Sequence, residues 1–339
     1  MGVMKKIFLL LISVFLLTGC GKVDKEKLVK EFVNRVESSK SYIANSNMEI
    51  YNGEDTFVYD IKVMYMDDDY YRVDMLNTLS NHKQVILRNE EEVYVVTPSL
   101  NKSYKFVSDW PYNSSQSYLL NSLVNDIKNE DNVIFTKEEK GYSLKVGVEY
   151  PNNPNLSYEM LYFDDDLNLN TVAVYDTEGI VAIKVVFNKI DYKANLSPND
   201  FDVNNFVKEN IDSSDNENET EETASLEDVI YPLYIPANTY LKGKELVNTE
   251  NGERVILTFN GEKNFVLIEE TSVARDEFEI IPVYGDPLML SNTVGALSTN
   301  SLSWSSDNVD YYLASNDLST SEILSIADSL NVVNIVEEK

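Results

Sequence analysis

Side chains able to perform nucleophilic or acid–base chemistry are scarce in this sequence. His82 is the only histidine among the 339 residues. It stands at the start of a predicted strand with no Gly-x-Ser-x-Gly turn nearby, so we interpret it as a surface residue rather than the base of a serine triad. A single histidine also excludes a metal site built on a histidine pair, and no glycine-rich phosphate loop or dinucleotide fingerprint is present. We therefore predict a protein that is not an enzyme, with no metal and no cofactor.

Carboxylates are the remaining candidates for chemistry. Asp164, Asp165 and Asp166 could serve as an acid–base pair or bind calcium. Adjacent strand residues point to opposite faces of a sheet, which keeps consecutive carboxylates from converging on one ligand. We therefore interpret the three aspartates as a solvated hairpin turn.

Cys20 is the only cysteine, and its surroundings predict that it is lipidated. Lys5 and Lys6 precede an apolar stretch, residues 7–17, that is too short to cross a bilayer, since a spanning helix needs about twenty residues. The sequence Leu17-Thr18-Gly19-Cys20 resembles the bacterial lipobox. An ordinary cleaved signal and a buried free thiol are the alternatives. We predict that residues 1–19 are a signal peptide and that Cys20 becomes an acylated N-terminus carrying fatty acids such as palmitate.

This lipidation determines the expected location. Two or more acyl chains give stable anchoring, because each buried methylene contributes about 0.8 kcal/mol. We expect the protein to be lipid-anchored at the extracytoplasmic face of the cell membrane. With its one thiol alkylated, the chain would have neither a disulfide nor a thiolate nucleophile.

The composition predicts a folded, acidic ectodomain. Apolar residues make up 43% of the chain and charged residues 25%, with a formal net charge of −29, which leaves enough apolar side chain for a substantial core. Nucleic acids and anionic lipid head groups are polyanions that such a charge would repel. We predict no nucleic-acid partner.

One segment divides the chain. Residues 207–228 are dominated by acidic and small polar side chains, which cannot bury enough surface to offset chain entropy. Calcium binding by these carboxylates is the alternative, but no glycine-punctuated alternation of oxygen ligands is present. We interpret the segment as a linker between one domain at 20–206 and a second at 229–339.

The first domain is predicted to be a curled antiparallel half-barrel covered by helices. A helix is predicted over residues 24–42, because Leu28, Phe32, Val33 and Val36 form one apolar stripe. Alternating strands follow, with turns at residues 52–55 and 67–69, a helix across 117–128, and further strands near 132–137, 142–149, 156–163, 169–175 and 180–189. About ten strands favour a curled or barrel-like sheet over a flat one. Its many aromatic residues could line a pocket or form an ordinary core.

The second domain is predicted to be a small antiparallel α+β unit. Hairpin signals occur at residues 250–252 and 260–262, between apolar runs. Ser319 and Glu322 have the spacing of a capping box. The apolar residues of the helix that follows are expected to dock on the sheet.

The quoted motifs resemble a known family. The helix followed by "DDDYYRVDM", by "KQVILRNEEEVYVVTPSLNKSYKF" and later by "LYFDDDLNLNTVAVYDTEG" looks like the lipoprotein-carrier fold of LolA, LolB and RseB, and the resemblance covers most of 24–206. It implies an open half-barrel whose cavity takes acyl chains or a partner peptide. It also implies that Tyr71, Arg72, Tyr94 and Tyr104 are binding residues. For Arg72 the alternative is a surface charge beside Asp74.

The two-domain arrangement is similar to that of sporulation and germination lipoproteins of Gram-positive bacteria. This resemblance implies an envelope protein partner, such as a wall amidase. A permanently acylated chain stays at one membrane, which disfavours a shuttling carrier. We therefore predict a binding scaffold for an envelope protein, in sporulation, germination or cell-wall (cortex) processes. Binding of a lipid or lipoprotein acyl chain in the half-barrel cavity is the alternative.

Overall fold

The computed structural model of the protein describes residues 22–53, 55–90, 92–206, 226, 229–249, 252–274, 277–306 and 308–330. Cys20 and the predicted signal peptide at 1–19 lie outside these residues, as does nearly all of the predicted linker at 207–228. What the sequence predicts for these segments stays a prediction. Below, residues 22–206 are called the N-terminal region and residues 226–330 the C-terminal region.

The N-terminal region contains two helices and eleven strands among its described residues. The helices are α1 (Lys25–Glu37) and α2 (Leu120–Asn129). The strands are β1 (Ser41–Asn52), β2 (Asp55–Met66), β3 (Tyr70–Asn77), β4 (Lys83–Asn89), β5 (Glu92–Thr97), β6 (Lys102–Phe106), β7 (Ile134–Lys137), β8 (Tyr142–Gly147), β9 (Leu156–Phe163), β10 (Leu169–Asp176) and β11 (Val181–Asp191). Short 3-10 helices span Pro98–Leu100 and Pro198–Phe201.

The C-terminal region contains eight strands and one helix among its described residues. The strands are β12 (Thr239–Thr249), β13 (Gly252–Gly261), β14 (Phe265–Thr271), β15 (Glu279–Val283), β16 (Asp286–Met289), β17 (Val294–Leu297), β18 (Ser301–Ser306) and β19 (Val309–Ala314). The helix is α3 (Thr320–Ser329).

Twelve strands form one large open sheet in the order β15-β6-β5-β4-β3-β2-β1-β11-β10-β9-β8-β7. Its edges within the described residues are β15 and β7, so it does not close into a barrel. The predicted antiparallel sheet with few helices is confirmed, since all neighbouring pairs except β15 with β6 are antiparallel. The two predicted early turns also form. The second of them places Asp68 and Asp69 at φ of 67° and 65°, in the left-handed region that tight hairpin turns require.

The helices begin and end where local signals change. The Asp24 side chain accepts a hydrogen bond from the Lys27 backbone N–H at 2.9 Å and so caps α1. The helix predicted to run to residue 42 ends at Glu37, and Ser41 already begins β1. The prediction was too long because the polar stretch after the apolar stripe carries no clear stop signal. The helix predicted across 117–128 lies at Leu120–Asn129.

The large sheet is buried along the face under α1 and α2 and, on the opposite face, mainly around β2 to β5. The face under α1 and α2, here the helix side, carries the main core, which includes Leu28, Phe32 and Leu123. The opposite face, here the outer side, carries a smaller cluster in which Leu87 and Val96 lie under the segment around Phe201. Strand alternation sends successive side chains to these two faces in turn.

A second sheet has the order β12-β13-β14-β19-β18-β17-β16, and α3 packs on one of its faces. The Ser319 side chain accepts from the Glu322 backbone N–H, and the Glu322 carboxylate accepts from the Ser319 N–H at 2.8 Å, which forms the predicted capping box. One prediction was wrong at β15. This strand leaves the C-terminal region and pairs in parallel with β6 of the large sheet, so the C-terminal region is not a self-contained antiparallel unit.

Candidate functional site

The four predicted binding residues fall on opposite faces of the large sheet. Tyr71 and Tyr104 point to the helix side, where both contact the main core. Tyr94 belongs to the outer-side cluster, and Arg72 points the same way because it neighbours Tyr71 on β3. Arg72 and Tyr94 lie in one cross-strand row, separated by Leu87 of β4. The structure therefore places two of these residues on each face of the sheet and does not bring the four together in one site.

Arg72 has a structural environment on the outer side. Its guanidinium makes two hydrogen bonds to the Asp74 carboxylate, at 2.9 and 3.1 Å, and a third to the Asp200 carbonyl at 3.2 Å. It also lies 4.6 Å from the centre of the Phe206 ring. These contacts hold the segment that contains Asp200 and Phe206 against β3. The alternative interpretation of Arg72 was a surface charge beside Asp74. Arg72 does pair with Asp74, but most of its side chain is buried.

Tyr71 sits in an aromatic group on the helix side. Its ring centre lies 5.0 Å from that of Tyr65 and 6.2 Å from that of Trp110, distances typical of interacting aromatic pairs. Its hydroxyl lies 3.3 Å from the hydroxyl of Tyr112. Burial, followed by the bond to Tyr112, raises the pKa of Tyr71 far above its ordinary value. Tyr71 is therefore a buried core residue. Its hydroxyl contacts the half-exposed Tyr112, which separates it from solvent.

Asp164 and His82, two residues considered for chemistry, lie in separate turns of the large sheet. Asp164 lies in the turn between β9 and β10, and its carboxylate accepts from the backbone N–H groups of Asp166 and Asn168 at 2.9 and 2.8 Å. This is the predicted hairpin turn. His82 directly precedes β4, and its carbonyl accepts from the Asn77 N–H at 2.9 Å. Among the described residues, no group of three or more His, Cys, Asp or Glu side chains is placed to hold a metal ion.

A clasp that the sequence did not reveal joins the two regions. Beside the β15–β6 pairing, the buried Gln84 side chain accepts from the Val294 N–H at 2.7 Å and donates to the Val294 carbonyl at 3.2 Å. The Tyr59 hydroxyl donates to the Ser291 carbonyl at 2.9 Å. The Lys102 ammonium, with a side chain only 4% exposed, pairs with Asp310 at 2.7 Å. We call these contacts the interdomain clasp.

Residues of the C-terminal region also pack against the main core of the N-terminal region. Val294 and Ala296 of β17 belong to the main core, and Met289 of β16 packs against it. A cavity of about 240 Å³ remains between the regions. Its lining includes Ile50, Trp110, Tyr118, Tyr150, Met289 and Leu324. Pockets for drug-sized ligands usually measure about 300–1,000 Å³, so the cavity is small for an extended lipid chain.

Two buried carboxylates that the sequence analysis did not single out lie near Tyr150, one of the residues that line this cavity. The Glu159 side chain is fully buried, and neither of its carboxylate oxygens has a hydrogen-bond partner among the described residues. Burial, reinforced by the nearby Asp126, raises the pKa of Glu159 well above its ordinary value. Burial also raises the pKa of Asp126 to about 6, although a hydrogen bond from the Ser115 hydroxyl at 3.0 Å partly opposes this. Burial shifts both groups toward the protonated form, because an uncompensated buried charge is costly.

The edge strand β12 exposes apolar side chains to solvent. It is eleven residues long and pairs only with β13. Its side chains are exposed on both faces, including Tyr240 at 63% and Leu246 at 60%. Long, apolar edge strands are ready templates for pairing with another chain, and natural proteins usually blunt them.

The other edge strands among the described residues are protected from pairing with another chain, either by a proline or by their short length. Strand β15 carries Pro282 and β16 carries Pro287, and proline lacks the N–H that an added strand would need. Strand β7 has only four residues. Strand β12 has no proline, and beyond an irregularity between Leu241 and Gly243 its pairing with β13 is regular to Thr249. The two lysines of β12 and its irregularity blunt the first half of the strand. The segment 245–249 is therefore the open edge.

Comparison with solved structures gave low scores. The MucA/MucB complex of Pseudomonas aeruginosa matches with 12% identity and a TM-score of 0.32, covering 88% of this chain and 97% of that one. A complex of the CwlD amidase with the GerS lipoprotein from Clostridioides difficile matches with 14% identity and a TM-score of 0.32, covering 52% of this chain and 100% of that one. Scores this low do not carry conclusions from those proteins to this one.

Sequence comparison is much stronger. The model of the family "Sporulation protein YdcC-like" matches residues 4–201. Sporulation protein YdcC of Bacillus subtilis (strain 168) is 36% identical over 322 residues, which is 94% of each chain. No described helix is long and apolar enough to cross a membrane. From the extent of both matches, the chain belongs to the sporulation protein YdcC-like family.

Proposed function

We propose that this protein is a non-enzymatic scaffold, anchored in the membrane through lipidated Cys20, that binds an envelope protein during sporulation. The observation that carries the proposal is the open edge of β12. A partner would add an extended strand to this edge, so that backbone hydrogen bonds supply affinity and the exposed side chains supply specificity.

The chemistry of the edge indicates the kind of strand that fits. Tyr240, Leu246 and Val247 offer apolar contacts, while Lys242 and Lys244 place positive charge on a strongly acidic molecule. An apolar strand with an acidic residue opposite these lysines would complement them. A second copy of this chain is disfavoured, because two bodies of net charge −29 repel each other.

The small cavity between the two regions also supports the scaffold over the lipid-binding alternative. Side chains of the C-terminal region occupy the helix side where acyl chains would lie, and the remaining cavity is small. If the alternative were correct, native mass spectrometry of the full chain would show a lipid beyond the covalent anchor. Absence of such a lipid is the result we expect.

The scaffold is tested by photo-crosslinking in sporulating cells. A photoreactive amino acid replaces Leu246 at the β12 edge or, as a control, Leu79, which is 75% exposed in the turn between β3 and β4. We expect the Leu246 position alone to yield a discrete adduct with an envelope protein. A wall amidase is the first partner to probe, because the resemblance to germination lipoproteins implies one.

Two further results decide the interpretation. Replacing Val247 by Lys in the crosslinking chain should abolish the adduct, because a charge is then forced into the apolar contact. Identical adducts from Leu246 and Leu79, or an adduct that survives the Val247→Lys change, would contradict an interface at β12.

A further inference from the structure

The face of the second sheet opposite α3 is only partly covered by the described residues, since Ala296 of β17 packs into the main core at one end of it. Leu257, Leu267 and Leu313 belong to the core under α3, so the residues that alternate with them point away from α3. A groove of about 460 Å³ lies on this opposite face, at the end of the sheet near residue 264. We call it the outer groove.

The floor of the outer groove is a row of small side chains. Thr258, Val266, Ala314 and Ser301 occupy consecutive positions across β13, β14, β19 and β18. Because these side chains are small, they leave a shallow channel that runs across the strands. Tyr312 stands beside the row, two residues from Ala314 on the same face, and is 41% exposed.

The rim of the groove is rich in amide groups. Asn260, Asn264, Asn300 and Asn316 line it together with Asp317. They come from the end of β13 and from three connections at one end of the sheet, namely the β13–β14 turn, the β17–β18 turn and the segment before α3.

Hydrogen bonds hold this rim in place before any ligand arrives. The Asp317 carboxylate accepts from the Asn264 backbone N–H at 3.0 Å and from the Asn264 amide at 2.7 Å. The Ser315 hydroxyl donates to the Asn264 carbonyl at 2.6 Å. The Asn300 amide donates to the Asn316 side-chain oxygen at 2.7 Å. A rigid arrangement of this kind lowers the entropy cost of binding.

Three polar groups of the rim remain available to bind a ligand. Within the described residues, Asp317 Oδ1, the Asn316 amide nitrogen and the Tyr312 hydroxyl make no hydrogen bond with another residue. The nearby Lys263 ammonium is engaged, since it donates to the Asp317 carbonyl at 2.9 Å and lies 3.4 Å from the Glu322 carboxylate. The groove thus presents amide, hydroxyl and carboxylate groups without an available positive charge.

This chemistry selects one class of ligand. A polyanion is disfavoured, because the lining carries the Asp317 carboxylate and the chain has a net charge of −29. A protein partner would find few large apolar side chains to bury. A neutral sugar polymer fits, since its hydroxyl and acetamido groups pair with amides and carboxylates, and the apolar face of a sugar ring packs on an aromatic ring such as that of Tyr312.

We propose that the outer groove binds a neutral glycan strand, of the N-acetylated kind found in bacterial cell walls. Tyr312 stacks on one sugar ring, and Asn300, Asn316 and Asp317 bind its polar substituents. This site is separate from the β12 edge around Leu246, so it does not depend on the protein partner.

The test uses the full chain purified in detergent. Binding is measured by calorimetry with a tetramer of N-acetylglucosamine and by co-sedimentation with purified peptidoglycan. The variants are Tyr312→Ala and Asn316→Ala. The matched control is Tyr284→Ala, which removes an 83% exposed tyrosine outside the groove. Circular dichroism verifies that each variant folds.

We expect wild type and Tyr284→Ala to bind both probes equally. Tyr312→Ala should bind about tenfold more weakly, and Asn316→Ala should weaken binding by a smaller factor. The inference is overturned if folded wild type binds neither probe, or if Tyr312→Ala binds as tightly as wild type. A Val247→Lys variant should keep glycan binding, which separates this result from failure of the scaffold proposal.

Discussion

At the scale of single residues, Glu269 couples folding of the second sheet to pH. Its side chain is buried on β14, and its carboxylate accepts from the Ile230 backbone N–H at 3.1 Å. Burial raises the pKa of Glu269 to about 7 in the folded protein, from an ordinary value of 4.5, although the Ile230 bond and Lys244 partly oppose this. The folded state therefore holds this proton more tightly than the unfolded state. The resulting stabilisation is complete below about pH 4.5 and is lost as the pH rises to about 7.

Glu269→Gln should therefore stabilise the protein at pH 8 and change little at pH 5. The amide keeps an acceptor for Ile230 but cannot ionise, so we expect a free energy of unfolding about 1–3 kcal/mol higher than wild type at pH 8. Urea denaturation at both pH values measures it. Glu270→Gln is the control, since Glu270 pairs with Arg254 at 2.7 Å on the opposite face. Equal effects of Glu269→Gln at the two pH values would refute the coupling.

Gln84 is the residue on which the interdomain clasp depends most directly. Gln84→Met keeps its volume but removes the bonds to both backbone groups of Val294, which stay buried. Each unsatisfied buried group costs about 1–3 kcal/mol, so we expect a loss of about 2–4 kcal/mol in unfolding free energy. Urea denaturation measures the loss, with Lys83→Met on the neighbouring position as the control. A loss no larger than that of the control would show that the contact is dispensable.

At the scale of elements, β15 ties the two regions together through its backbone. The Glu279 N–H donates to the Asn101 carbonyl at 2.9 Å, and strand alternation turns the Ile281 N–H to the same side and the Ile280 N–H outward. The pairing joins a strand of the C-terminal region to the edge of the large sheet. It also covers the edge of β6, leaving an outward face that Pro282 protects.

Proline substitutions can distinguish the N–H groups that point to β6 from those that point outward. Ile281→Pro removes an N–H that points to β6, whereas Ile280→Pro removes one that points to solvent. We expect Ile281→Pro to increase the rate of protease cleavage between residues 272 and 286 severalfold, and Ile280→Pro to have a small effect. Ile281→Ala accounts for the lost side chain. Equal cleavage of both proline variants would argue against the pairing with β6.

At the scale of the whole molecule, the proposed anchor at Cys20 determines where the binding surfaces act. A body of net charge −29 is repelled by the anionic membrane surface, so it would be held away from the membrane and would present β12 and the outer groove. Both proposed ligands, an envelope protein and a wall glycan, are found on that side of the membrane.

Cys20→Ala should release the protein from the membrane. The variant has no thiol to acylate, and we expect it to lose palmitate labelling and to appear in the soluble fraction after cell lysis. Fractionation with immunoblotting measures this, and Ser38→Ala serves as a control because Ser38 lies beyond α1. A Cys20→Ala chain that stays membrane-bound as wild type does would refute the proposed anchor.

Local patterns in the sequence predicted most of the elements. Alternation predicted the strands of the large sheet because a half-buried strand must place apolar residues at every second position. The Ser319–Glu322 spacing predicted the start of α3, since capping uses neighbouring groups. The same alternation implies that Tyr71 and Arg72 face opposite sides of β3, a consequence that separates two residues the family resemblance had grouped together.

The sequence by itself determined most strands of the large sheet, the starts of α1 and α3 and the family, because each of these depends on patterns of neighbouring residues. Only the tertiary structure decided that β15 joins the large sheet, that Gln84 and Val294 meet across 210 positions, and that Glu159 is buried beside Asp126. These features depend on contacts between distant segments. Such contacts stabilise the protein only when the whole chain is folded, so they cannot be predicted from a local sequence pattern.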